Sequence, residues 1–179
     1  PIPELLGANT LSKVVMVTGA GGSIGSELCR QILAQRPVRL VLFEQSELAL
    51  YSIDQELTAT AQALGIDAPI ITPILGSVQS QSQLERVIRR FKVQTIYHAA
   101  AYKHVPMVEQ NVVAGLQNNV FGTLASVRAA LACGVEAFIL VSTDKAVRPT
   151  NFMGASKRLA ELICQAQAQL PAAHTKISM

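Results

Sequence analysis

One pattern constrains this chain more than any other: short, nearly continuous apolar runs rich in β-branched residues alternate with longer stretches of helical spacing. The runs fall at residues 14–17, 38–43, 70–75, 93–98 and 137–141, and a sixth opens at Lys176. Between them, Ile24, Leu28 and Ile32 recur on one helix face, and residues 47–63 place Leu48, Ile53 and Leu57 inward. Leu84, Val87, Ile88 and Phe91 make a short amphipathic helix, and residues 112–133 and 153–170 read as two long ones. Strands this apolar, each followed by a helix, require a parallel sheet covered on both faces. Right-handed crossovers then give an α/β, doubly wound sheet with the expected order 3-2-1-4-5-6. Pro73 sends the third strand towards an outer position. Residues 1–11, with Pro1, Pro3 and Gly7, read as an arm or linker, and residues 12–179 as one domain. The sixth run stops at Met179 with no helix to cover its face, so a fragment of a longer protein is expected.

Composition removes several classes of function. Half of the residues are hydrophobic and 15% are charged, which excludes a disordered polyelectrolyte. No apolar stretch is long enough to span a bilayer and no signal peptide opens the chain, so no direct membrane contact is expected in this segment. Cys29, Cys133 and Cys164 are isolated and odd in number, which suits neither a disulfide framework nor a metal site. A reduced, cytoplasmic setting follows. The net charge of +3 is small and scattered and aromatics make up 4%, so no nucleic-acid partner is expected. A slight positive excess does suit a phosphorylated small molecule. Arg86, Arg89, Arg90 and Lys92 read as the solvated face of a short helix.

The first strand runs into Thr18-Gly19-Ala20-Gly21-Gly22-Ser23-Ile24-Gly25 and then a helix. Gly19 permits the tight turn, Gly22 lets a pyrophosphate approach the backbone, and Gly25 lets the helix pack close to the strand. The amides of Ser23, Ile24 and Gly25 then offer a helix N-terminus to the phosphates. The bland alternative is a βα turn with surplus glycine; the strand and helix on either side weigh against it. Glu44 ends the second run, roughly 20 residues beyond Gly25, where a carboxylate accepts both ribose hydroxyls and repels a 2′-phosphate. That favours NAD over NADP. The competing reading is a surface glutamate opening a helix, with Ser46 as its N-cap.

With that Rossmann-like turn in place, further motifs resemble the extended short-chain dehydrogenase/reductases. They are His98-Ala99-Ala100-Ala101, Asn119-Val-Phe-Gly-Thr, Ser142-Thr143-Asp144-Lys145 and Met153-Gly-Ala-Ser-Lys157. More narrowly, His98 to Pro106 and Thr143 to Asn151 resemble the bacterial nucleotide-sugar 4,6-dehydratases of polysaccharide biosynthesis, of the UDP-N-acetylglucosamine type. The resemblance implies NAD-dependent dehydration of a UDP-sugar to its 4-keto-6-deoxy form. Family members continue into a sugar-binding part absent from these residues, and many follow membrane helices, as cytoplasmic domains of inner-membrane proteins.

The resemblance also assigns residues. Lys157 matches the lysine that holds the nicotinamide ribose, but the tyrosine position is Met153, whose thioether exchanges no proton. Asp144 is then expected to take the C4 hydroxyl proton and later protonate the leaving C6 hydroxyl, with Lys145 as the C5 base and Thr143 orienting the C4 oxygen. A neutral Lys145 requires desolvation or a nearby cation, for which Lys157 is a candidate. The alternative is a solvated loop pair. Ser77, Val78, Ala99 and Ala100 are expected beside the cofactor, with Ser77 where the wider superfamily often has an aspartate for the adenine amine. Lys103, Asn119 and Asn151 are expected on the substrate side, and the two long helices form a homo-oligomer seam by analogy. A nucleotide-sugar epimerase and a non-catalytic NAD-binding module are the competing functions, since fold alone licenses no choice.

Overall fold

In the computed structural model, which describes residues 3–66, 70–170 and 174–179, the first apolar run becomes β1 (Val14–Thr18), buried along its whole length. Successive side chains leave a strand on opposite faces. Val14 and Met16 therefore join one apolar core while Val15 and Val17 join another. This two-sided burial is what a continuous apolar run specifies.

Around β1 lie β2 (Arg39–Glu44), β3 (Ile71–Leu75), β4 (Thr95–His98), β5 (Ala137–Leu140) and β6 (Lys176–Ser178). All neighbours pair in parallel, in the order β3-β2-β1-β4-β5-β6 expected from the sequence. The fold is Rossmann-like. Pro73 sits on edge strand β3 opposite Leu42, where its missing N–H costs no second ladder. Helices α2 (Ser23–Ala34) and α3 (Glu47–Ala63) cover one face. On the other lie α4 (Gln81–Phe91), α7 (Gly122–Ala132) and α8 (Phe152–Ala168).

Several expectations change. The opening arm is helical: α1 (Pro3–Thr10) begins at a proline, which suits a first helical turn, and ends before Ser12 at φ 59°. Residues 1 and 2 of that arm lie outside the described residues. Ile24 is exposed, and the buried stripe of α2 is Gly25, Cys29, Ile32 and Leu33. Leu48 is likewise 76% exposed, and Leu50 packs inward with Ile53 and Leu57. In both helices an apolar residue of the first turn falls off the face that meets the sheet.

The stretch 112–133 is not one regular helix. Asn111 separates α5 (Val105–Gln110) from α6 (Val112–Leu116), and a π-helical turn, Gln117–Phe121, joins α6 to α7. Such turns insert one extra residue per turn and are common beside functional sites. Here the turn buries two consecutive asparagines, Asn118 and Asn119.

Candidate active site

The carboxyl ends of β1, β2, β3 and β4 open into a crevice, the usual ligand position in such sheets. Gly19 donates its N–H to Phe43 O at 2.8 Å and has φ 69°, a left-handed value that glycine adopts at low cost. A Cβ at Gly25 would lie 2.0 Å from Gly19 O, so α2 starts against the turn only because Gly25 has no side chain. Gly21, which the sequence reading passed over, is equally constrained: its Cβ would meet Ala49 Cβ on α3 at 2.5 Å. By contrast, a Cβ at Gly22 would meet only Gly19 O, at 3.3 Å, leaving open space above the turn. No side chain caps α2, so its first amides remain for a ligand.

At the β3 side, a hollow of about 230 Å³ is lined by the glycine turn, Phe43, Glu44, Gln45, Gly76, Val78, Ala99, Ala100, Tyr102 and Asn118. Glu44 is not a surface residue; it is 8% exposed. Its Oε2 accepts from Gly21 N at 3.1 Å, and its Oε1 accepts from Gln45 N and Ser46 N at 2.8 and 2.9 Å. The carboxylate therefore ties the glycine turn to the start of α3, and Ser46 still caps that helix through Ala49 N. Ser77 does not line the hollow, and its Oγ accepts from Gln79 N at 3.3 Å.

An adjoining hollow towards β5 shares Gly22, Ala99, Ala101 and Tyr102, and adds Ser23, Ile24, Gly25, Lys103, Ser142, Thr143, Lys145, Met153 and Lys157. Met153 is buried in its wall, one turn before Lys157 on α8. Lys157 is 6% exposed and donates to Val141 O at 2.8 Å. Burial holds its ammonium below the usual lysine range, against the opposing pull of Cys164 and Glu161. Lys103 reaches across to Ser23 Oγ at 2.8 Å.

The Asp144–Lys145 pair divides. Both residues are exposed; Lys145 lines the hollow and Asp144 does not. Thr143 Oγ1 donates to Asp144 Oδ1 at 3.0 Å and accepts from Lys145 N at 3.4 Å, capping a short 3-10 turn, Asp144–Ala146, at the rim. Burial of Lys145, one route to the neutral amine, is not supplied by the described residues. Asn151 is committed to capping α8, its Oδ1 accepting from Gly154 N at 2.8 Å. Asn119 is committed too: its amide accepts from Tyr102 N at 2.8 Å and donates to Tyr102 O and Ser156 Oγ, both at 3.0 Å. It fixes the Tyr102 loop to α8 from behind the crevice.

Behind that loop lies a polar chain that sequence reasoning left without a partner. His98 Nδ1 is 2.7 Å from Thr18 Oγ1, and Nε2 is 3.1 Å from Thr123 Oγ1. Thr123 donates its own proton to Asn119 O at 2.7 Å, so Nε2 carries the imidazole proton and Nδ1 accepts from Thr18. The ring is buried, and burial first and the Lys157 charge second push its pKa down to about 3. His98 is therefore neutral and structural at the site. Among the described residues no cluster of His, Cys, Asp or Glu is placed to hold a metal ion, and no helix is long and apolar enough to cross a membrane.

This architecture, a glycine turn, a buried carboxylate at the end of β2 and a buried lysine at the carboxyl edge of one sheet, defines a nucleotide-binding Rossmann-like protein. Residues 15–179 match the family described as polysaccharide biosynthesis protein, and the chain belongs to it. It is 42% identical over 161 residues to the capsular polysaccharide biosynthesis protein CapD of Staphylococcus aureus, covering 90% of this chain and 26% of that protein. It is 30% identical over 146 residues to the UDP-N-acetylglucosamine 4,6-dehydratase (inverting) of Campylobacter jejuni, covering 81% and 40%. In structure it matches DesIV, the dTDP-glucose 4,6-dehydratase of Streptomyces venezuelae with NAD and TYD bound. There the TM-score is 0.76 and the identity 25%, covering 91% of this chain and 54% of that one. The chain thus spans only part of the length of each of these relatives.

Proposed function

We propose that the chain is the NAD-binding part of a nucleotide-sugar 4,6-dehydratase that converts a UDP-sugar of the UDP-N-acetylglucosamine type to its 4-keto-6-deoxy product for surface polysaccharide synthesis, on the cytoplasmic side. The observation that carries this reading is the hollow towards β5, where the nicotinamide would lie. Lys157 is kept there and the tyrosine position is a buried thioether, while Thr143, Asp144 and Lys145 supply polar and ionisable groups at the same rim. An epimerase-like site relying on a phenol has no such group at Met153.

The residues present fit NAD. Gly22 leaves room for a pyrophosphate against the uncapped amides of Ser23, Ile24 and Gly25, Gly19 and Gly25 let the turn pack tightly enough to present them, and Glu44 would meet the ribose. Val78, Ala99 and Ala100 give an apolar wall, and Ser77 is not needed for it. Bound NAD supplies a hydride acceptor for sugar C4 and, once reduced, a hydride donor for C6. Lys157, anchored on Val141 O, holds the nicotinamide ribose. Asp144 takes the C4 hydroxyl proton and returns a proton to the departing C6 hydroxyl, with Thr143 Oγ1 orienting the C4 oxygen. Lys145 removes the C5 proton, which the C4 ketone has made acidic, and after exchange with solvent returns a proton to C5 as the hydride is delivered to C6. Lys103 contributes charge to a phosphate. Asn119 and Asn151 act by placing the Tyr102 loop and α8. Exposed Val113 on α6, Phe121 on the π-helical turn and Leu159 and Leu162 on α8 support a homo-oligomer seam.

The test uses full-length protein and UDP-N-acetylglucosamine in D₂O. The expected product is lighter by one water, allowing for the label, and carries deuterium at C5; Lys145→Ala lowers turnover by at least about a hundredfold. Full activity in that variant, or a product that keeps the water, overturns the assignment.

A further inference from the structure

On the dehydratase reading above, we infer that Glu161 is a positioning residue for the Thr143–Lys145 segment, acting through a charge-assisted hydrogen bond to Ser142. Ser142 Oγ donates to Glu161 Oε1 at 2.5 Å, and Arg158 Nη1 donates to Oε2 at 2.8 Å. The Glu161 side chain is only 14% exposed. Partial burial alone would raise its carboxyl pKa, but the Ser142 and Arg158 donors outweigh that and hold the group below the usual glutamate range. Ser142 therefore meets an ionised acceptor at neutral pH, the stronger kind.

Thr143, Asp144 and Lys145 do not hold themselves to the fold. Among the described residues, their hydrogen bonds stay within residues 143–147. Asp144 and Lys145 are exposed, so burial does not fix their side chains either. What fixes the segment lies at its two ends, and α8 supplies both. At the far end Ala146 is buried, and a Cβ at Gly154 would lie 2.4 Å from Lys145 O, so the first turn of α8 backs that peptide.

At the near end, two α8 side chains one turn apart grip consecutive residues just beyond β5. Lys157 donates to Val141 O at 2.8 Å, and Glu161 accepts from Ser142. Lys157 lines the hollow towards β5, whereas Glu161 does not and reaches Ser142 from outside it. The Arg158 pair on its own would be a surface contact of little consequence, since Arg158 is 46% exposed. The bond to Ser142 is different: it lies one residue before Thr143, whose hydroxyl orients the C4 oxygen and caps the turn carrying Asp144 and Lys145. A shift of about 1 Å in such groups costs about a hundredfold in rate.

The test compares turnover of UDP-N-acetylglucosamine by full-length protein with that of Glu161→Ala, Ser142→Ala, the double variant and Glu161→Gln. Each alanine variant should lower kcat by about 10–100-fold. The double variant should be no slower than the slower single one, because both remove the same bond. Glu161→Gln keeps an oxygen for Ser142 and should stay within about fivefold of the unmodified protein. NAD, titrated separately, should bind every variant within about threefold of the unmodified affinity, since Lys157 and the glycine turn are intact; a helix disturbed as a whole would lose binding and rate together. Unchanged kcat in Glu161→Ala, losses that multiply in the double variant, a glutamine variant as slow as the alanine one, or NAD affinity falling in step with kcat each overturns the inference and leaves the dehydratase reading intact. A product that keeps its water removes that reading, while the same ratios still decide the role of Glu161. No turnover by the unmodified protein removes both.

Discussion

His98 gives the sharpest prediction about stability. It is fully buried between Thr18 and Thr123, and its pKa is pushed down to about 3 by burial and then by the Lys157 charge. In the unfolded chain the same imidazole titrates near 6.5. Between those values the unfolded state binds a proton that the folded state refuses, so stability is full above about pH 6.5 and is lost as the pH falls. Integrating from pH 7 to pH 5 gives a loss of about 2 kcal/mol from this one group. For a domain of this size that is a fall in Tm of about 4–8 °C. Thermal unfolding at the two pH values, compared with His98→Gln, isolates it. The variant keeps an amide between the two threonines and is less stable at pH 7, but loses most of the pH 5 penalty. A variant that falls in Tm between pH 7 and pH 5 as much as the unmodified protein would refute a buried neutral imidazole.

Glu44→Gln removes the charge and keeps the shape, so affinity for NADP relative to NAD should rise at least about tenfold in parallel titrations. Gly25→Ala sets a methyl against immovable backbone at Gly19, and should cost about 3 kcal/mol or more in chemical denaturation. The two leucines of α3 should separate cleanly in the same assay. Leu50→Ala, from the core, should cost about 2–4 kcal/mol, and Leu48→Ala, from the surface, within about 0.5 kcal/mol.

The sheet was legible because its inner strands β1, β2, β4 and β5 are buried on both faces and therefore read as apolar runs. Val14 to Val17 and the run ending at Phe43 left no other architecture. Pro73 marked an edge because it has no N–H to give a second ladder. The helix faces were harder to read: Ile24 and Leu48 fit the apolar period but sit in first turns that lie past the sheet, and sequence spacing has no record of where a helix begins to make contact. The glycine turn was legible from its glycines, whose geometry is local. The burial of Glu44 was not, because its three amide donors come together only when the turn and α3 meet. Asn118 and His98 depend on packing between distant segments. The doubled asparagine in a helical stretch was the available signal, and a π-helical turn explains it.

The account stands or falls on where a hydrogen goes during turnover. Full-length protein should be given UDP-N-acetylglucosamine carrying deuterium at C4, in ordinary water, and the product examined by NMR. The account predicts the label at C6 of a 4-keto-6-deoxy sugar. Label still at C4, in a sugar that has kept its C6 hydroxyl, would contradict it.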